Sequence, residues 1–175
     1  KYSLCGCSLL TKIVIPSSVK SIGEGSFSGC TSLTQILIPS SITSIQNNSF
    51  FGCCSLVKVS FALPYSVTEI GEYAFAGCLS LSQISIPSSV TKIKKYAFEC
   101  PSLKQISIIS TDIKIEESAF NECTNITISN DMKYIPSQIF SKCSTLMQIT
   151  IPSSVTEIRN SAFRECSSLA QIMIP

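Results

Sequence analysis

The sequence predicts a single right-handed β-solenoid of short parallel strands with little or no long helix. Three observations lead there. One unit, Cys143 to Cys166, reads C-x-x-L-x-x-I-x-I-P-x-S-V-x-x-I-x-x-x-A-F-x-x-C, and the next unit begins on its last cysteine. The repeat cysteines recur at separations of 23, 23, 25, 22, 23, 20 and 23 residues. A strand-like triplet of alternating apolar residues falls at the same place in each copy. Self-similarity at such a period marks an array of stacked coils, each too small to bury its apolar face alone.

Each position of the unit has a physical reading. The triplets are Ile13–Ile15, Ile36–Ile38, Val59–Phe61, Ile84–Ile86, Ile106–Ile108, Ile126–Ile128, Ile149–Ile151 and Ile172–Ile174. Alternation puts the two flanking side chains on one face and the middle one on the other. Stacked coil on coil at about 4.8 Å, the triplets become rungs of one parallel sheet. Pro16, Pro39, Pro64, Pro87, Pro152 and Pro175 follow the triplet. Proline has no N–H for a ladder, so it ends the strand. Ser-Ser then turns the chain. A second apolar pair, such as Val67/Ile70 or Val90/Ile93, predicts a weaker strand on the opposite wall. The A-F-x-x-C segment suits one helical or 3₁₀ turn, its Phe stacking on the Phe above and below inside the coil. Phe27, Phe75 and Phe163 are therefore expected inside.

Irregular copies are expected to fall in turns, where backbone need not match its neighbours. Ala62 and Leu63 are inserted before Pro64. The Ile106 copy has no proline and reads IISTDIKI, and the copy after Cys123 is short around the Leu position. Residues 108–140 are thus expected to be the least regular. The whole of 1–175 reads as one array of about seven coils of 20–25 residues. It starts and stops inside a unit, so a fragment of a longer array is expected, with more repeats or a partner covering both ends.

Composition limits the functional classes. The chain is 45% hydrophobic and 14% charged, with a net charge of +2 and no basic cluster, which argues against a nucleic-acid surface. No apolar run approaches a membrane span of roughly 18–20 residues. Of the 10 cysteines, Cys5 and Cys54 stand outside the repeat positions. A regular ladder points every Cβ the same way, which is poor geometry for a disulfide. Buried, reduced thiols are the expected state, with disulfides the alternative. There is no histidine, so Ser-His or Cys-His nucleophile pairs are excluded, and zinc-site spacing is missing. No catalytic, metal or cofactor site is expected. Carboxylates such as Glu24, Glu72, Glu116, Glu117 and Glu157 read as a solvated turn face. Asn47-Asn48-Ser49 and Asn125-Ile126-Thr127 match glycosylation acceptors, which matter only in a secreted chain.

The pattern L-x-x-I-x-I-P-x-S-V-x-x-I-x-x-x-A-F-x-x-C resembles the BspA-like class of leucine-rich repeats, across essentially the whole chain. The resemblance implies a parallel sheet on one side of each coil. It also implies a large surface or secreted protein of a mucosal bacterium or parasitic protist, adhering to host matrix proteins or cells. It brings no ligand with it, because the repeat residues are scaffold.

Where a partner could bind is read from the sheet. The residue before each triplet and the middle residue of each triplet should both face outward. The candidate protein-binding positions are Gln35, Gln83, Ser85, Gln105, Ser107, Gln148, Thr150 and Gln171. The plain alternative is a stacked amide ladder that satisfies its own hydrogen bonds. Two functions stand side by side. One is a surface adhesion or protein-binding array, secreted or at the cell surface. The other is an intracellular structural scaffold with a reduced cysteine ladder.

Overall fold

The computed structural model describes residues 1–108, 110 and 113–174. Ile109, Thr111 and Asp112 of the IISTDIKI stretch, and the turn proline Pro175, lie outside the described residues. The chain is a parallel-strand β-solenoid, and no helix occurs among the described residues. The triplets form the first wall: β1 (Gln35–Ile38), β3 (Lys58–Phe61), β5 (Gln83–Ile86), β7 (Gln105–Ile108), β9 (Asn125–Ile128), β11 (Gln148–Thr150) and β13 (Gln171–Met173). The second apolar pairs form the opposite wall as two-residue strands: β2 (Ser44–Ile45), β4 (Glu69–Ile70), β6 (Lys92–Ile93), β8 (Lys114–Ile115), β10 (Tyr134–Ile135) and β12 (Glu157–Ile158). Ile13–Ile15, expected as the first rung, is not a strand. Just ahead of it, the Thr34 N–H and hydroxyl both donate to the Thr11 carbonyl, at 3.3 and 3.4 Å.

The third wall differs from the expected helical turn. Each A-F-x-x-C segment is a run of tight turns whose amides alternate between two acceptors. Phe50 N–H donates to the Ala74 carbonyl of the next coil at 2.8 Å, while Phe51 N–H donates back to Asn48 at 3.1 Å. That alternation needs left-handed backbone at two columns. Asn48, Tyr73, Tyr96, Gln138 and Ser161 occupy the first, with φ of 56°, 54°, 56°, 61° and 57°. Gly29, Gly52, Gly77, Glu122, Lys142 and Glu165 occupy the second, just before the cysteine. A helix would require negative φ throughout, so the segment cannot be one.

The core fills the space between the walls. Phe27, Phe50, Phe75, Phe98 and Phe120 stack face to face, centroids 5.1–5.3 Å apart and planes within 9°. This spacing follows from the coil repeat rather than from ring preference, because each ring hangs from the same position one coil along. Phe27 and Phe75 are buried, and Phe163 is half-buried. The cysteines form a second internal column. All 10 are free thiols, and Cys53, Cys78 and Cys100 Sγ lie 3.1, 3.4 and 3.0 Å from the carbonyls of Phe27, Phe50 and Phe75. Burial pushes the Cys53 and Cys143 thiols up to about 12, so both stay protonated donors. Apolar positions in the last coil are open instead: Ile158 and Ile172 are 50% and 46% exposed, having a neighbouring coil on one side only.

Two interfaces between coils depart from the regular pattern. The first-wall ladder stops between β3 and β5, although β4 and β6 remain paired behind them. The inserted Ala62 and Leu63 lie at the end of β3, and Val59 and Phe61 are left only half-buried where Ile84 and Ile86 are buried. The second departure lies within the expected irregular region. Gln105 pairs with Thr127 rather than Asn125, a slip of two residues, while Gln148 pairs with Asn125 in the expected register. A slip of two keeps the isoleucines inward where a slip of one would have turned them out. At this same interface β8 and β10 do not pair, and the Phe120 and Phe140 rings tilt by 57°.

Candidate binding face

The outer face of the first wall carries what the sequence placed there, with one exception. Gln35, Gln83, Ser85, Gln105 and Gln171 are exposed, and Gln148 and Thr150 are half-buried. The register sets Gln83 beside Gln105, Ser85 beside Ser107, and Gln148 between Asn125 and Gln171. Ser107 is the exception, being buried at 8% exposure. The slip at β9 carries the following turn over it, and Ser107 Oγ donates to Asp131 Oδ2 at 2.6 Å. Partial burial pushes the Asp131 carboxyl up, but hydrogen bonds from Ser107, Ser129 and its own backbone hold it net below the usual carboxylate range. Ser107 is therefore a fastener between two coils and not the exposed contact expected of it.

The self-satisfied amide ladder does not form. Among the described residues no glutamine amide on this face bonds to another, and Gln148 Nε2 approaches Met173 Sδ at 3.7 Å. The amides instead line a groove of about 400 Å³ that runs across β3, β5 and β7, with Lys58 at one end and Asp131 at the other. Asp131 was missed because it sits in a turn by pattern. The one signal for it was the short 20-residue spacing of its copy.

The face is not uniform along its length. Toward the N-terminal coils it becomes apolar and cationic. Val14 and Leu37 are 76% and 56% exposed, and with Lys12 and Lys58 they line a second groove of about 330 Å³. Several charges on the other walls are paired: Lys94 with Glu69 at 2.6 Å, and Glu117 with both Lys95 and Lys142 at 2.9 Å. Among the described residues no cluster of His, Cys, Asp or Glu could hold a metal ion, and no helix is long and apolar enough to cross a membrane. Of the two glycosylation triplets, Asn47 has its Oδ1 occupied by the Glu72 N–H at 3.0 Å, and Asn125 stands exposed on β9.

Comparison with solved structures returns other repeat arrays. The chain is similar to a leucine-rich repeat protein from Bacteroides ovatus at 30% identity and TM-score 0.60, over 90% of this chain and 41% of that one. It thus spans well under half of that protein's length. It is also similar to the Treponema (T. pallidum) leucine-rich repeat protein TpLRR at 29% identity and TM-score 0.54, over 79% of this chain and 68% of that one. The pneumococcal vaccine antigen PcpA shares the fold at 18% identity and TM-score 0.52, over 95% and 60% of the two chains. A search of curated protein sequences finds no match. The profile of the BspA type leucine rich repeat region matches in 6 copies over residues 1–127 and 93–175. The chain belongs to the BspA-type leucine-rich repeat family.

Proposed function

We propose that this chain is a non-enzymatic adhesion array of a secreted or cell-surface protein. Its first-wall face contacts a host matrix or cell-surface protein. The observation that carries this reading is the groove across Gln83, Ser85 and Gln105, where neither glutamine side-chain amide has a hydrogen-bond partner among the described residues. Each coil adds only a few side chains, so affinity comes from several coils engaging together. The family supports the same direction, since repeat arrays of this kind are scaffolds that offer extended surfaces.

The test is attachment of the folded chain to immobilised matrix proteins and cultured host cells. Replacing Gln83, Gln105 and Gln148 together with Glu should abolish attachment while circular dichroism stays unchanged. If attachment survives that change but is lost on replacing Lys94, Lys95 and Arg159, binding belongs to the opposite wall.

A second reading, an intracellular scaffold, is favoured by the thiol column, since the Cys30, Cys53, Cys78, Cys100, Cys123 and Cys166 thiols each donate to a backbone carbonyl. Alkylation of protein taken directly from its source, under denaturing conditions and without reductant, tests this second reading. Free ladder thiols there are compatible with either reading, but a Cys30–Cys53 or Cys78–Cys100 bridge would exclude the intracellular one.

A further inference from the structure

Lys12 and Lys58 have no ion-pair partner among the described residues, and Lys20, Lys104, Lys114 and Lys133 have none either, but Lys12 and Lys58 are the two that line one groove. They flank exposed Val14 and Leu37 in one groove of about 330 Å³. None of the strands β1 to β13 on this wall carries an Asp or Glu. The nearest acid on the face, Asp131, lies at the far end of the neighbouring groove. The result is a small apolar floor between two uncompensated cations.

We propose that this end of the face is a docking site for an extended acidic-apolar peptide segment of the partner protein. The segment sets its apolar side chains on Val14 and Leu37, and its carboxylates pair with Lys12 and Lys58. The inference rests on the first-wall face being the binding wall and deepens that reading by naming the partner's chemistry. The charge argument is direct. Two exposed ammonium groups with no acid nearby repel each other and any basic partner, while a carboxylate brought to each removes that field. The apolar floor argues for alternation. An extended chain presents side chains to one side at every second residue, with a repeat of about 6.8 Å. A strand lying on the groove can therefore direct its apolar residues down while acids at its flanks reach outward to the lysines. A basic or wholly polar segment would leave either the cations or the floor unmatched.

The experiment uses the chain as it stands and two end-blocked synthetic peptides, one alternating Glu and Val and one alternating Lys and Val. Binding is followed by fluorescence anisotropy at low and high salt. The Glu-Val peptide should bind, and the Lys-Val peptide should bind about tenfold or more weakly. The double variant Lys12→Glu with Lys58→Glu should reverse that order. Leu37→Ser should weaken the Glu-Val peptide without reversing the order, which separates loss of floor from loss of charge. Raising salt should weaken the Glu-Val complex, as screening demands. Equal affinity for the two peptides, or no change in the double variant, overturns the proposal. So does binding of phosphatidylserine vesicles by a chain that ignores both peptides, because the patch is then a lipid contact. Cross-links from the Glu-Val peptide to the second or third wall would overturn the broader assignment of the binding wall. If matrix attachment still depends on Gln83, Gln105 and Gln148 while neither peptide binds, only the peptide assignment falls.

Discussion

At the residue scale the repeat letters encode burial well and backbone poorly. The Leu, Ile, Phe and Cys positions were readable because spacing alone fixes which side chains point inward. The left-handed columns were not, because Tyr73, Tyr96, Gln138 and Lys142 hold positive φ without being glycine. Only the Gly-Cys pairs at Gly29, Gly52 and Gly77 hinted at them. Glycine also has a second role, shown at Gly71. Its φ is ordinary, but a Cβ there would meet the backbone N of Asn47 and C of Gln46 at 2.6 Å. Neither backbone atom can move without parting two coils. Gly71→Ala should therefore destabilise by about 1–3 kcal/mol, as overpacking does. Gly52 is the control, with φ of 67° and open space around the added methyl. Gly52→Ala should cost only the left-handed backbone term, about 1 kcal/mol. Urea melts of both variants check the order, and a larger loss at Gly52 would show that backbone conformation outweighs the close approach.

At the element scale, two-strand ladders fail where the sequence inserts or deletes, and side chains take over. Ala62 and Leu63 end β3 so that it cannot pair with β5, and the binding groove opens over that gap. The insertion was legible, but its consequence for the sheet was not, since nothing in the letters says which of three walls gives way. Deleting both residues should let Lys58–Phe61 pair with Gln83–Ile86 and slow amide exchange in both strands. The gain in stability should be about 1–2 kcal/mol, one or two net hydrogen bonds. Unchanged exchange there would trace the gap to some other cause. Where β8 and β10 fail to pair, Glu117 lies between Lys95 and Lys142. Hydrogen bonds from Lys142 and then Lys95 hold its carboxyl down at about 2 from an ordinary 4.5. Because the folded value is the lower one, its contribution is complete above about pH 4.5 and is lost as pH falls toward 2. The two lysines are raised above 10.5, so their side of the contribution is present below that pH and lost above it. Melting wild type and Glu117→Gln between pH 5 and 2 should show a steeper acid loss in wild type, shrinking at high salt. Parallel acid limbs would mean the bracket is too solvated to matter.

At the scale of the whole molecule, stability is a sum over interfaces between neighbouring coils, so the weakest interface decides how the array comes apart. The gap at β3 and β5 is not that interface, because the second wall and the Phe column continue across it: Phe75 N–H still reaches the Ala97 carbonyl at 2.8 Å. The interface between the coils of Phe120 and Phe140 is weaker on every wall. Its first-wall ladder is slipped, its second wall is unpaired, and its rings are tilted. The sequence marked this stretch as irregular through its lost proline and short spacing, yet it could not show how the coils stay joined. Among the described residues, the side-chain contacts that join them include Ser107 to Asp131, Glu117 to Lys142, and the Tyr134 hydroxyl to the Ser110 carbonyl. Tyr134 reaches further than the others, because Arg159 of the following coil lies over its ring at 3.7 Å. It therefore ties three successive coils. Tyr134→Ala should remove both contacts and leave the seam with its slipped ladder, a few short bonds and the two polar pairs. In a linear array, lowering one interface term below the coil terms splits a single cooperative transition into two. Hydrogen exchange in the variant should show the coils from Asn125 onward opening at a denaturant concentration where Phe50, Phe75 and Phe98 amides remain protected. Wild type should show the two groups much closer together. One coincident transition in Tyr134→Ala, shifted as a whole, would place the weak interface elsewhere.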